Sequence, residues 1–159
     1  MNEKLLRIYL QDHLAGSTAG VELARRVHAS NSDGELGAFL DELVAEIELD
    51  RRALLDLMAR LGIGEDRVKS ALAWAGEKAG RLKLNGEVLS YSPLSRLVEL
   101  EGLALGIQGK LAMWRALREV SANDDRLGGF DLDAPIARAE RQSRRLEARR
   151  RKAAEEALV

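Results

Sequence analysis

The sequence predicts an all-α protein that folds as a four-helix bundle. Ala, Leu, Arg and Glu are abundant, and all four are strong helix formers. Hydrophobic residues make up 46% of the chain and charged residues 32%, the balance of an ordinary globular protein. Its 159 residues correspond to about one domain, so we expect residues 1–159 to form a single helical-bundle domain.

Each helix is predicted from apolar residues that recur three and four positions apart. The predicted helices span 3–29, 34–61, 65–82, 93–121 and 133–156. "SNSDGE" (30–35) separates the first two and offers Ser32 or Asp33 as an N-cap. "LGIG" (61–64) ends the second helix with glycines, and Pro93 and Pro135 lie in first turns, where proline is tolerated.

The connection between the second and third long helices predicts the topology. It is about 30 residues long and contains the short predicted helix. Short loops make consecutive helices antiparallel, whereas a long crossover lets them run parallel. The predicted order is therefore up-down-down-up, and a plain up-down-up-down order is the alternative.

Several polar residues fall within the apolar stripes of these helices. Asp50 has only aliphatic neighbours in its stripe, Glu46 precedes it by one turn, and His13 occupies the stripe of the first helix. Glu101 lies near the start of the third long helix and Glu140 in the last one. A buried carboxylate must be paired, protonated or bound to metal. We expect His13 and Asp50 to form a hydrogen-bonded structural pair or to lie at the edge of their stripes, and the glutamates to lie on solvated or ion-paired faces. A metal site is the alternative, with candidate ligands His13, Glu46, Asp50, Glu101 and Glu140.

The helical layout resembles the ferritin-like superfamily, in which two helices each give one Glu and two others each give Glu-x-x-His. Here the corresponding segments are "EIEL" (46–49) and "ERQS" (140–143), so Leu49 and Ser143 occupy the histidine positions. His13 stands about where the first helix would supply its Glu, and Glu101 matches the Glu of the third. "YLQDHLAGSTAG" and "LEGLALGIQGKLAMWRAL" are also similar to uncharacterised bacterial proteins near that superfamily. The resemblance implies a bundle without an intact di-iron site and no cofactor, with iron or manganese at an altered site as the alternative.

Several classes of function are disfavoured by composition and motifs. The chain has no cysteine, which excludes disulfides, thiolate metal sites and cysteine nucleophiles. "AGSTAG" (15–20) lacks the order of a phosphate-binding loop, and two histidines give no credible serine triad. The N-terminal residues have no signal-peptide core and no apolar run approaches the length of a membrane span, so we expect a cytoplasmic protein with no membrane partner.

Charge is distributed unevenly between the helices. Residues 31–65 carry nine acids against three arginines, whereas residues 138–152 carry eight bases against two acids. In the crossover topology the second and fourth long helices are neighbours, so these charges are expected to pair. The alternative is nucleic-acid binding through the basic C-terminal helix. The interpretation that we favour is a non-enzymatic protein with an interaction or structural role, as a homo-oligomer or with a protein partner.

Two glycine clusters lie inside predicted helices. Gly16 and Gly20 are four residues apart in the first helix, as are Gly102 and Gly106 in the third. A glycine within a helix costs about 0.5–1 kcal/mol relative to alanine, and glycines on one face allow another backbone to approach closely. We therefore expect a close crossing of these two helices, where Gly16→Leu would be destabilising through overpacking.

Overall fold

The computed structural model describes residues 2–64 and 91–159, which form four long α-helices. We label them α1 (Glu3–Ala29), α2 (Gly34–Arg60), α3 (Pro93–Val120) and α4 (Asp133–Leu158). A short 3₁₀ helix, Ser121–Asn123, follows α3. The described part of the chain contains no β-strand, so the predicted all-α class and four-helix bundle are confirmed. The helix expected over 65–82 lies outside the described residues.

The helix ends follow from local chemistry that the sequence displays. The side chain of Asn2 caps α1 by accepting from the Leu5 backbone N–H at 3.2 Å, and Ser92 caps α3 by accepting from Ser95 N–H at 3.1 Å. Asp33 precedes α2 without a side-chain cap hydrogen bond. Each of the four helices begins and ends within two residues of its predicted bounds.

The packing of the helices has the up-down-down-up order. α1 packs against α2 and α3, and α4 packs against α3 and α2, so that α2 and α3 are diagonal. Arg26 near the end of α1 pairs with Glu99 near the start of α3 at 2.9 Å, which makes these two helices antiparallel. Arg145 of α4 pairs with Glu42 near the start of α2 at 2.5 Å. The expected pairing of an acidic α2 with a basic α4 is thus present.

A buried amide fixes the end of α1 to the start of α3. Asn31 donates to the Val27 carbonyl at 2.8 Å and to the Tyr91 hydroxyl at 2.7 Å, and it accepts from Arg96 Nε at 2.7 Å. The Tyr91 hydroxyl donates to Glu99 at 3.0 Å. Burial raises the pKa of Tyr91 to about 12, so this hydroxyl stays protonated as a donor at neutral pH.

The apolar core is divided into two clusters, one toward each end of the bundle. One contains Leu10 and Leu14 of α1 with Trp114 of α3, and the other contains Val21 and Ala24 of α1 with Leu100 of α3. On α2 the boundary falls between Ile47 and Leu54, on α3 between Ile107 and Leu111, and on α4 between Ala139 and Leu146. Polar residues occupy this middle level. Among the described residues, no helix has the length and apolarity of a membrane span.

Gly37 lets the turn between α1 and α2 pack against the first turn of α2. A Cβ at this position would lie 2.1 Å from the carbonyl oxygen of Ser32. We predict that Gly37→Ala lowers the free energy of unfolding in urea by about 1–3 kcal/mol, because the backbone must shift to admit the methyl group.

Gly20→Ala is the matched control for that substitution, because no atom lies within 4 Å of a Cβ at Gly20. We expect it to raise the free energy of unfolding by about 0.5–1 kcal/mol. A Gly37→Ala variant as stable as the parent would show that the contact with Ser32 is not tight.

Candidate functional site

The carboxylate of Asp50 is the centre of the polar level between the two core clusters. Asp50 is only 4% exposed. Its Oδ1 accepts from Arg138 Nε at 2.5 Å, and its Oδ2 accepts from Gln142 Nε2 at 3.2 Å and from Lys110 Nζ. Lys110 belongs to α3, while Arg138 and Gln142 lie one turn apart on α4. One carboxylate therefore connects α2 to two other helices.

The charges of this cluster are held by burial and by mutual pairing. The side chains of Lys110 and Arg138 are 17% and 14% exposed. Burial lowers the pKa of Lys110, and the adjacent Asp50 carboxylate opposes that shift. The nearby Arg138 adds to the lowering, whereas the charge of the half-buried Glu46 opposes it. Removing the carboxylate of Asp50 would leave two buried cations without their shared counter-ion.

A half-open cleft of about 760 Å³ lies between α1 and α3 beside this cluster. Gly16, Gly20 and Leu23 line it from α1, and Gly106 and Trp114 line it from α3. Ile47, Asp50 and Leu54 of α2 also line the cleft. Because α2 lies diagonally opposite α3, a cleft between α1 and α3 that also touches α2 must extend to the middle of the bundle.

The expected close crossing of the two glycine clusters is wrong. A Cβ added to Gly16, Gly20 or Gly106 would have no atom within 4 Å, and only at Gly102 would it meet a neighbour, Leu23 Cδ2 at 3.1 Å. The helices are antiparallel neighbours as predicted, but Gly16, Gly20 and Gly106 face open space, and Gly102 faces a side chain rather than another backbone. The glycine clusters therefore line the cleft.

Polar side chains of α1 and α2 border the cleft. The pKa of His13 is lowered by burial, against the opposing charge of Asp12, and its ring packs edge-on against Tyr9 with centroids 4.6 Å apart. Ser17 Oγ donates to the Leu14 carbonyl at 2.6 Å within its own helix. His13 and Asp50 both line the cleft, yet the hydrogen bonds of Asp50 go to α3 and α4 and none to His13 among the described residues.

The five candidate metal ligands are distributed among separate interactions. Glu101 pairs with Arg150 at 3.3 Å and Glu140 with Arg115 at 2.7 Å, both at the surface. Within the described ranges, no three His, Cys, Asp or Glu side chains are grouped as ligands of a metal ion.

Leu49 and Ser143, at the positions where the ferritin-like pattern has histidines, take part in other interactions or face solvent. Leu49 is 43% exposed, so it lies on the outer face of α2. Ser143 accepts a hydrogen bond from Gln108 Nε2 of α3 at 2.7 Å.

Several arginines of the basic C-terminal helix form contacts within the bundle. Arg138 binds Asp50 and Arg145 binds Glu42, both across the α2–α4 contact. Arg145 and Arg149 also place their guanidinium groups over the ring of the buried Phe39, 5.1 and 4.7 Å from its centroid. These arginines act in packing α4 on α2.

Lys110, Gln142 and Trp114 were not predicted as site residues. Lys110 is the only charged residue between Glu101 and Arg115, and that isolation in an apolar segment was the available signal. Gln142 is 1% exposed, and its placement beside Asp50 depends on the packing of α4. Trp114 is 1% exposed and stacks on Phe130 at 6.3 Å; its indole N–H has no hydrogen-bond partner among the described residues.

Comparison with protein-family models, curated proteins and solved structures gives no match for this chain. Its function must therefore be inferred from the polar cluster and the cleft.

We predict that Asp50→Asn lowers the free energy of unfolding by about 3–5 kcal/mol, because Lys110 and Arg138 then stay buried without a counter-ion. Chemical denaturation measures the change.

Glu42→Gln is the matched control for Asp50→Asn. It removes a carboxylate from an exposed pair with Arg145, so its expected cost is at most about 1 kcal/mol. Equal effects of the two substitutions would contradict the central role of Asp50.

Proposed function

We propose that this protein is a non-enzymatic binding protein that holds an apolar small molecule in the cleft between α1 and α3. The observation that carries the proposal is the cleft itself, which lies between α1 and α3 and reaches α2. Glycine and aliphatic residues make up much of its lining, and charged side chains such as Asp50 and Lys110 complete it. Its volume of about 760 Å³ falls within the range of small-molecule sites, which are mostly apolar with a few polar groups.

The glycines support a binding role because packing does not explain them. Each glycine within a helix costs about 0.5–1 kcal/mol relative to alanine. Gly16, Gly20, Gly106 and Gly109 all line the cleft, and none has an atom within 4 Å of where its Cβ would be. Side chains at these four positions would narrow the opening, so their absence keeps space for a ligand.

The polar groups of the cleft favour binding over catalysis. The hydroxyl of Ser17 is bonded to its own helix, and His13 packs on Tyr9. Asp50 accepts hydrogen bonds on both oxygens. This arrangement does not pair a nucleophile with a base within the described part of the cleft.

We also propose that the bundle is related to the ferritin-like superfamily. The support is its up-down-down-up helix order, which that superfamily shares. An oligomeric, cytoplasmic protein remains the expectation from the sequence.

Binding is tested with N-phenyl-1-naphthylamine, an uncharged probe whose fluorescence rises in apolar surroundings. We expect saturable binding to the parent protein. The double variant Gly20→Leu/Gly106→Leu should weaken probe binding at least tenfold, because its side chains enter the cleft from both walls.

Ala116→Leu is the control for that variant, since Ala116 is an exposed residue of α3 that does not line the cleft. It should bind the probe like the parent. Parent protein that does not bind the probe, or a double variant that binds it as well as the parent, would overturn the proposed function.

A further inference from the structure

The hydrogen-bonding groups of the cleft that have no partner within the protein determine what kind of polar group a ligand can carry. Of the charged residues that line the cleft, Asp50 and Lys110 belong to the buried hydrogen-bonded cluster. The oxygens of Asp50 already accept three hydrogen bonds, from Arg138, Gln142 and Lys110. Asp50 therefore has little capacity left for a ligand that donates.

Lys110, in contrast, has hydrogen-bond donors that no protein group among the described residues accepts. Its ammonium group has three N–H donors and no acceptor, and Asp50 is its only hydrogen-bond partner among the described residues. Its side chain is 17% exposed and lines the cleft. Two N–H donors of Lys110 are thus available beside the apolar walls, so the polar group of a ligand at this position should be a hydrogen-bond acceptor.

The charge of the cluster indicates that this acceptor is an anion. Lys110 and Arg138 share the single carboxylate of Asp50, which leaves one positive charge in excess within the hydrogen-bonded group. Glu46 acts on Lys110 only through space and does not line the cleft. The other charged side chains of the lining are Asp12, Glu22, Arg26 and Arg51. Arg26 is bound to Glu99, and Arg51 donates to the Thr18 hydroxyl at 3.4 Å.

We propose that the ligand is a free fatty acid, with its carboxylate bound by Lys110 and its alkyl chain along the glycine-lined walls of α1 and α3. This inference rests on the proposed function and names the ligand class of the same cleft. A carboxylate accepts charge-assisted hydrogen bonds from an ammonium group, which are stronger than bonds between neutral groups. Each buried methylene adds about 0.8 kcal/mol of apolar transfer energy, so affinity should rise about fourfold per CH₂.

The test compares dodecanoate with dodecanol, which share a chain length and differ in the charge of the head group. Both are titrated by displacement of N-phenyl-1-naphthylamine from the parent protein. We expect dodecanoate to bind about 10–100-fold more tightly than dodecanol, the range of a hydrogen bond to a charged group.

Lys110→Met removes the ammonium group and keeps an unbranched side chain, and Asp50 retains Arg138 and Gln142 as partners. We expect this variant to lose the preference for dodecanoate while binding dodecanol within about threefold of the parent. Lys110→Arg should retain most of the preference, because it keeps the positive charge and the donors. Lys152→Met is the control for removal of a lysine, since Lys152 is exposed on α4.

The outcomes separate the two proposals. Failure of the parent to bind the probe would overturn the proposed function, and with it this inference. Binding of the probe with equal affinity for dodecanoate and dodecanol would overturn the fatty acid alone. A preference for dodecanoate that survives Lys110→Met but disappears in Arg51→Met would also overturn the assignment to Lys110.

Discussion

The buried carboxylate of Asp50 is the constraint on which the rest of the structure depends. It lies at the level where the apolar core divides, and it binds donors from α3 and α4. A carboxylate in an apolar interior is stabilised only if its partners are held in place. The positions of α3 and α4 relative to α2 at the middle of the bundle are therefore fixed by the contacts of Lys110 and Arg138 with Asp50.

The helix α1 contributes no hydrogen bond to Asp50 among the described residues. Its own polar side chains at this level, Ser17 and Thr18, both donate to the Leu14 carbonyl. α1 is joined to α3 near its C-terminal end, through Asn31 and Tyr91, and it packs into both core clusters. Between those contacts, the small residues of α1 do not fill the space against α3, and this space is the cleft. Lys110 lines it from α3.

Much of the fold could be predicted from the sequence because it depends on local signals. Apolar spacing, the "SNSDGE" break and the first-turn prolines located the helices, and the length of the crossover indicated the helix order. The contrast between an acidic α2 and a basic α4 correctly predicted their contact, visible in the Arg145–Glu42 pair. These signals depend on residues that are close in sequence or on the charge of a whole helix.

The site depends on distances between helices, which such signals do not contain. Asp50 was recognised as an unusual polar residue in its stripe, but its partners come from α3 and α4 and were not assigned. The glycine clusters were correctly located on facing helices, but the same pattern suits either a close crossing or an open cleft. Glu101 and Glu140 lie in surface ion pairs, as expected for glutamates on ion-paired helix faces.

The free energy of unfolding of Gly16→Leu tests most directly whether α1 and α3 enclose open space. The cleft predicts a variant at least as stable as the parent, because leucine has the higher helix propensity and no atom lies within 4 Å of a Cβ at this position. A loss of about 1–3 kcal/mol, as expected from overpacking at a tight helix crossing, would contradict the cleft.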